Sequence, residues 1–116
     1  MTLQEIIETL QAKLLVNPSG KEVIVNRACA SDLMSDVLTF ATPGAILLTG
    51  LTTPQAIYTA EVADIELICF VRGKRPQGDT MKLAEQKGLI LLSTDLPMYE
   101  SCGRLYLQGL RGCVER

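Results

Sequence analysis

Histidine is absent from the 116 residues. That absence removes Ser-His and Cys-His nucleophilic catalysis and every histidine-based metal site. The four cysteines, Cys29, Cys69, Cys102 and Cys113, stand far apart with no Cys-x-x-Cys pair, which argues against zinc and iron–sulfur ligation. No glycine-rich run ends in Gly-Lys-Ser/Thr and no Gly-x-Gly-x-x-Gly occurs, so both the P-loop and the dinucleotide fingerprint are missing. No apolar run reaches membrane-spanning length. The net charge of −2 gives no electrostatic case for nucleic acid or an anionic membrane. The chain opens on a polar amphipathic segment rather than a charged stretch followed by an apolar one, so no secretory signal is expected. A cytoplasmic location with all four thiols reduced follows. A Lys, Asp or Ser could still act as acid, base or nucleophile. The expectation is a non-enzymatic protein with no cofactor and no metal.

What is present reads as one α/β domain over residues 1–116, long enough to bury a core without staples. Thr2-Leu3-Gln4-Glu5 forms a capping box, with Leu3, Ile6, Ile7 and Leu10 at helical spacing behind it. Leu14–Val16 reads as a short strand and Asn17-Pro18-Ser19-Gly20 as a turn. Glu22–Ala28 reads as a second strand, with pairing back onto the first as one option. Asp32–Ala41 is expected to be a helix capped by Ser31, with Leu33, Val37, Leu38 and Ala41 facing inward. Ala45–Thr49 is an uncharged buried strand. Thr53 and Pro54 cap and open the next helix, marked by Ile57, Ala60 and Val62. Glu66–Val71 is an apolar strand, and Cys69 within it is a core residue. Asp79 caps a helix over Thr80–Lys87 that Gly88 ends. Leu89–Leu92 is the last expected strand, and Pro97 opens a final helix running to about Gln108. Strand followed by helix, three times over, implies parallel strands. Apolar strands without alternation imply a sheet covered on both faces.

In such a sheet ligands bind outside the carboxyl ends of the strands. Three of those ends are polar: Thr49-Gly50-Leu51-Thr52-Thr53, Arg72-Gly73-Lys74-Arg75 and Ser93-Thr94-Asp95. Thr49, Gly50, Thr52 and Thr53 offer amides and hydroxyls, Arg72, Lys74 and Arg75 offer charge, and Ser93, Thr94 and Asp95 complete the edge. Together they suit a phosphate or another anion. Taken singly, each junction is also an ordinary cap or loop. Asp32 and Asp36, at helical spacing, are read as favourable charges near a helix start before they are read as cation ligands.

The last helix carries Tyr99, Cys102, Gly103 and Tyr106. Gly103 would permit close approach of another backbone, from this chain or a second one. Tyr99 and Tyr106 supply contact area typical of an interface or of an internal core. Cys113, in the tail, is expected to be an exposed thiol.

The segment Ala30-Ser31-Asp32-Leu33-Met34-Ser35-Asp36-Val37-Leu38, the strand ending at Thr49-Gly50, Leu91-Leu92-Ser93-Thr94, and Gly103-Arg104-Leu105-Tyr106 with Gly109 and Arg111-Gly112 resemble a stand-alone DRTGG-domain protein over nearly the whole chain. The naming string Asp-Arg-Thr-Gly-Gly is itself not present, and Thr49-Gly50 is its nearest remnant. The resemblance implies an α/β fold similar to the N-terminal domain of HPr kinase/phosphorylase, without that enzyme's catalytic domain. It also implies regulatory company, since such domains accompany CBS domains in adenine-nucleotide-regulated pyrophosphatases. The resulting expectation is a regulatory or ligand-sensing domain, a homodimer, that takes an adenine nucleotide or another phosphate-bearing metabolite. The alternative is a protein-interaction module with no small-molecule ligand.

Overall fold

The computed structural model describes residues 1–113. Helix α1 (Leu3–Leu10) opens on the expected capping box. The Glu5 amide donates to Thr2 Oγ1 at 3.1 Å and the Thr2 amide donates to Glu5 Oε1 at 2.8 Å, so two amides that the helix itself leaves unpaired are satisfied. The bond from the Thr2 backbone also holds the Glu5 carboxyl below its usual value. Strand β1 (Lys13–Val16) follows, then β2 (Arg27–Ala30) and helix α2 (Met34–Phe40). The chain continues through β3 (Ile46–Thr49), α3 (Pro54–Val62), β4 (Leu67–Phe70), α4 (Gly78–Lys87), β5 (Ile90–Ser93), α5 (Met98–Leu107) and β6 (Arg111–Gly112).

The strands form one sheet in the order β1-β5-β4-β3-β2-β6. All neighbours are parallel except β1, which runs antiparallel to β5 along one margin. The central strands β3, β4 and β5 are buried at every position, because helices cover both faces. Leu47, Ile68, Phe70 and Leu91 pack with Val37, Ile57, Ala60 and Ala84 of α2, α3 and α4. Ile46, Leu48, Cys69, Ile90 and Leu92 point the other way and pack with Ile6 and Leu10 of α1 and Leu105 of α5. This is the mainly parallel, doubly covered α/β sheet that the apolar strands imply.

Several local expectations are corrected. The second strand begins at Arg27, not Glu22, and β1 does not pair with it, since β5, β4 and β3 lie between them. Val23 to Asn26 instead run beside the start of α1: the Met1 ammonium donates to Val25 O at 2.7 Å, and the Val25 amide donates to Met1 O at 2.8 Å. Helix α2 starts at Met34 rather than Asp32, and Ser31 Oγ accepts from the Leu33 amide in a local turn instead of capping the helix. Its buried residues are Met34 and Val37, while Leu33 and Leu38 face solvent, as does Val62 at the end of α3. Helix α4 starts at Gly78 with Gln77 as its N-cap residue, and Asp79 falls in its first turn. Strand β6 has no local sequence signal. It adds Cys113 to the sheet margin, where the Cys113 amide donates to Ala28 O at 3.2 Å, so this thiol is half-buried rather than exposed.

Burial pushes the Cys69 thiol up to about 12 and the Cys29 thiol up to about 11, against an ordinary value of 9.0. Below pH 9 folded and unfolded chains both keep these protons. Above it the unfolded chain releases them first, so stability falls as pH rises from about 9 toward 12. Urea unfolding midpoints are therefore expected to drop across this window. The drop should be shallower in Cys69→Ala, which lacks the thiol with the larger shift.

Candidate functional site

Strands β2 to β5 are parallel, so their carboxyl ends share one edge of the sheet. The connections leave that edge in different directions. After β4 the chain passes to α4, on the face shared with α2 and α3; after β5 it passes to α5, on the opposite face. The divergence between β4 and β5 is the topological switch point where open α/β sheets form their binding crevice.

Here the crevice is bridged by a tight turn. Arg72 and Gly73 both adopt positive φ, at 59° and 71°, and the Lys74 amide returns to Val71 O at 3.2 Å. The turn is pinned to the opposite loop by the Arg72 amide on Leu96 O at 2.7 Å and the Gly73 amide on Thr94 O at 2.8 Å. A left-handed conformation costs a residue with a Cβ roughly 1–2 kcal/mol. Gly73 avoids that cost and Arg72 does not. Arg72→Gly is accordingly expected to raise stability by about 0.5–1 kcal/mol, after the added freedom of glycine in the unfolded chain is subtracted. The midpoint of urea denaturation checks it.

Beside this turn, toward β3 and β2, lies an open cleft of about 280 Å³ lined by Asp32, Gly50, Val71, Arg72, Lys74, Pro97 and Met98. That volume is just below the usual range for small-molecule pockets. It has room for part of a nucleotide rather than for a whole dinucleotide. Arg72 and Lys74 supply positive charge. Among the described residues, the ion pairs are Lys21–Glu66, Lys87–Glu61 and Arg104–Glu100, so neither cleft cation is neutralised by a carboxylate. Pro97 is the N-cap residue of α5 and Met98 its first residue, which brings the positive end of that helix to the cleft.

The expected edge residues separate into four groups. Gly50, Arg72 and Lys74 line the cleft. Arg75, Ser93 and Asp95 border a distinct recess of about 40 Å³ with Gln11, Lys13 and Gly73. Thr52 and Thr53 lead into α3 on the other face; Thr52 O accepts from Thr80 Oγ1 at 2.9 Å. Thr49 and Thr94 are buried supports of the edge. The Thr49 hydroxyl donates to Asp32 Oδ1 at 3.0 Å and accepts from the Leu51 amide at 3.1 Å. The Thr94 hydroxyl donates to Leu10 O at 2.6 Å and accepts from the Leu96 amide at 3.2 Å, tying α1 to the β5 exit.

Sequence reasoning missed Asp32, Val71, Pro97 and Met98 as cleft residues. Asp32 lies outside α2, so the expected helical spacing to Asp36 does not apply. Its carboxylate reaches instead across the edge to the Gly50 amide at 2.6 Å. The available signal was its position: two residues past the end of β2, Asp32 belongs to the same carboxyl edge as the other loops.

The outward side of α5 is the other notable surface. Tyr99 is 88% exposed, Leu107 86% and Tyr106 53%, so neither tyrosine belongs to the core. They flank a groove of about 520 Å³ that also includes Gly103. Among the described residues, nothing outside the adjoining turns of α5 comes within 4 Å of a Cβ placed on Gly103, so no backbone approach among them requires this glycine.

An open, mainly parallel sheet with helices on both faces and a cationic cleft at its carboxyl edge defines the class: a doubly covered α/β domain. No family model matches the chain, and no curated protein matches it in sequence. In three dimensions it is similar to a crystal structure of the CBS and DRTGG domains of the regulatory region of Clostridium perfringens pyrophosphatase, complexed with its activator diadenosine tetraphosphate. The TM-score is 0.73 at 19% identity, over 93% of this chain and 46% of that one. The chain thus spans about half the length of that neighbour and has the fold of a DRTGG-like domain. Among the described residues no helix is long and apolar enough to cross a membrane.

Proposed function

We propose that this chain is a non-catalytic regulatory domain of the cytoplasm that senses a phosphate-bearing metabolite, an adenine nucleotide first among the candidates. The observation that carries this reading is the cleft: two cations without carboxylate partners among the described residues, beside the amino end of α5, at the carboxyl edge of the sheet. The fold supports it, since the pyrophosphatase regulatory region that shares it was crystallised with a nucleotide activator. The lack of histidine supports a sensing role over a catalytic one. Thermal unfolding with ATP, AMP and diadenosine tetraphosphate tests the proposal. A ligand at one hundred times its Kd adds about 2.7 kcal/mol of stability, an upward shift of several degrees or more for a domain of this size. No shift with any of the three would sink the ligand assignment.

A second reading rests on α5. The exposed Tyr99, Tyr106 and Leu107 and the groove opened by Gly103 suit a homodimer or protein interface. Alanine at both Tyr99 and Tyr106 is expected to lower the oligomeric mass measured by light scattering. An unaltered mass excludes this surface as the interface.

A further inference from the structure

We infer that Asp32 is the specificity-determining residue of the cleft. Its carboxylate disfavours bare polyanions and receives a neutral hydrogen-bond donor of the ligand, so the class selected is a nucleoside phosphate rather than free phosphate or polyphosphate. This rests on the cleft being the ligand site proposed above.

The backbone amide at the exit of β3 and the hydroxyl before it are the kind of donors that bind anions in α/β folds. Both are already spent on one oxygen of this chain: Asp32 Oδ1 accepts from the Gly50 amide at 2.6 Å and from the Thr49 hydroxyl at 3.0 Å. The carboxylate lies against Gly50. A Cβ built there would sit 3.4 Å from Oδ1, 3.5 Å from Oδ2 and 3.6 Å from Lys74 Cδ, ordinary contact distances that place both the carboxylate and the lysine stem against Gly50. Oδ2 has no hydrogen bond among the described residues, and Asp32 is exposed at the cleft wall.

Asp32 and the cleft cations form no ion pair, so the cleft carries free charge of both signs. A phosphate is drawn toward Arg72, Lys74 and the start of α5, and is repelled by the Asp32 carboxylate. What suits that carboxylate is a hydroxyl or amino group donating to Oδ2. A carboxylate past a strand end that takes a ribose hydroxyl is an established solution in nucleotide-binding sheets. A nucleoside phosphate presents both groups at once. Inorganic tripolyphosphate presents only the anion.

Asp32→Asn separates the two roles. It keeps an Oδ1 acceptor for Gly50 and Thr49, removes the charge and replaces Oδ2 with a donor. Titration calorimetry of the full chain with ATP and with sodium tripolyphosphate reads the effect. The unsubstituted protein is expected to prefer ATP. In Asp32→Asn, tripolyphosphate should bind roughly tenfold more tightly and ATP more weakly, so the preference collapses. Equal changes in both affinities, or none, overturn the role of Asp32 while leaving the cleft as the site. Absence of binding by either probe to either protein overturns the cleft reading and this inference with it. Asp32→Ala is the second variant. It also frees the Gly50 amide, and tripolyphosphate binding that fails to rise in it counts against the inference in the same way.

Discussion

Reversing both cleft cations, as Arg72→Glu with Lys74→Glu, is expected to weaken binding of ATP and AMP by at least about a hundredfold. A hydrogen bond to a charged group contributes about 1.5–3 kcal/mol, and the double substitution replaces two such donors with two repelling charges. The same change should leave the unliganded fold almost untouched. Both side chains are exposed, neither has a carboxylate partner among the described residues, and surface substitutions of this kind usually stay within about 0.5 kcal/mol. Calorimetric titration beside a thermal scan distinguishes the outcomes. A stable double variant that binds ATP as tightly as the parent would remove the cleft from consideration. Raising the salt concentration should weaken binding to the parent and not to the variant, where it screens repulsion instead of attraction.

The largest expected loss of stability comes from Phe70→Ala. Phe70 is fully buried at the end of β4, on the face where α2, α3 and α4 meet the sheet. Truncating a buried phenylalanine costs about 3–5 kcal/mol, through lost burial and the cavity left behind. For a domain near this length that corresponds to a fall of more than about 10 °C in the thermal midpoint. Val62→Ala offers the contrast. Val62 is 73% exposed, and its truncation should move stability by less than about 0.5 kcal/mol. A small effect at Phe70 would mean that the core on this face is not packed as described. The position also bears on function, because the chain enters the Arg72 turn directly through Val71. A loosened β4 end should weaken ligand binding before the protein unfolds.

Much of the fold was legible because its signals are local. Thr2 and Glu5 satisfy each other's amides three residues apart, and α3 starts at Thr53-Pro54 as expected, with proline at the first helical position although the Thr53 side chain makes no capping hydrogen bond. Ile46–Thr49, Leu67–Phe70 and Ile90–Ser93 lack charge because they are enclosed on both faces. The errors fall where partners are distant in sequence. Val23 to Val25 have the composition of a strand, yet Val25 exchanges its hydrogen bonds with Met1. Leu14 and its neighbours pair with Leu92 rather than with the next segment. Arg111–Gly112 is a strand only because β2 offers it a free margin. The Asp32 contact to Gly50 spans 18 residues, and no helical or strand period encodes it.

From its residues alone this protein is determined to be a mainly parallel α/β domain without histidine-dependent chemistry, with cations and hydroxyls at the strand exits. Those properties follow from apolar patterning, caps and composition, each of which acts over a few neighbouring positions. Tertiary structure alone decided how the polar edge divides: Gly50, Arg72 and Lys74 into one cleft, Arg75, Ser93 and Asp95 into a second recess, and Asp32 onto the amide at the exit of β3. The reason is geometric. Loops 20 residues apart meet only after the sheet has set their spacing, and the direction in which each following helix leaves determines which side chains share a cavity.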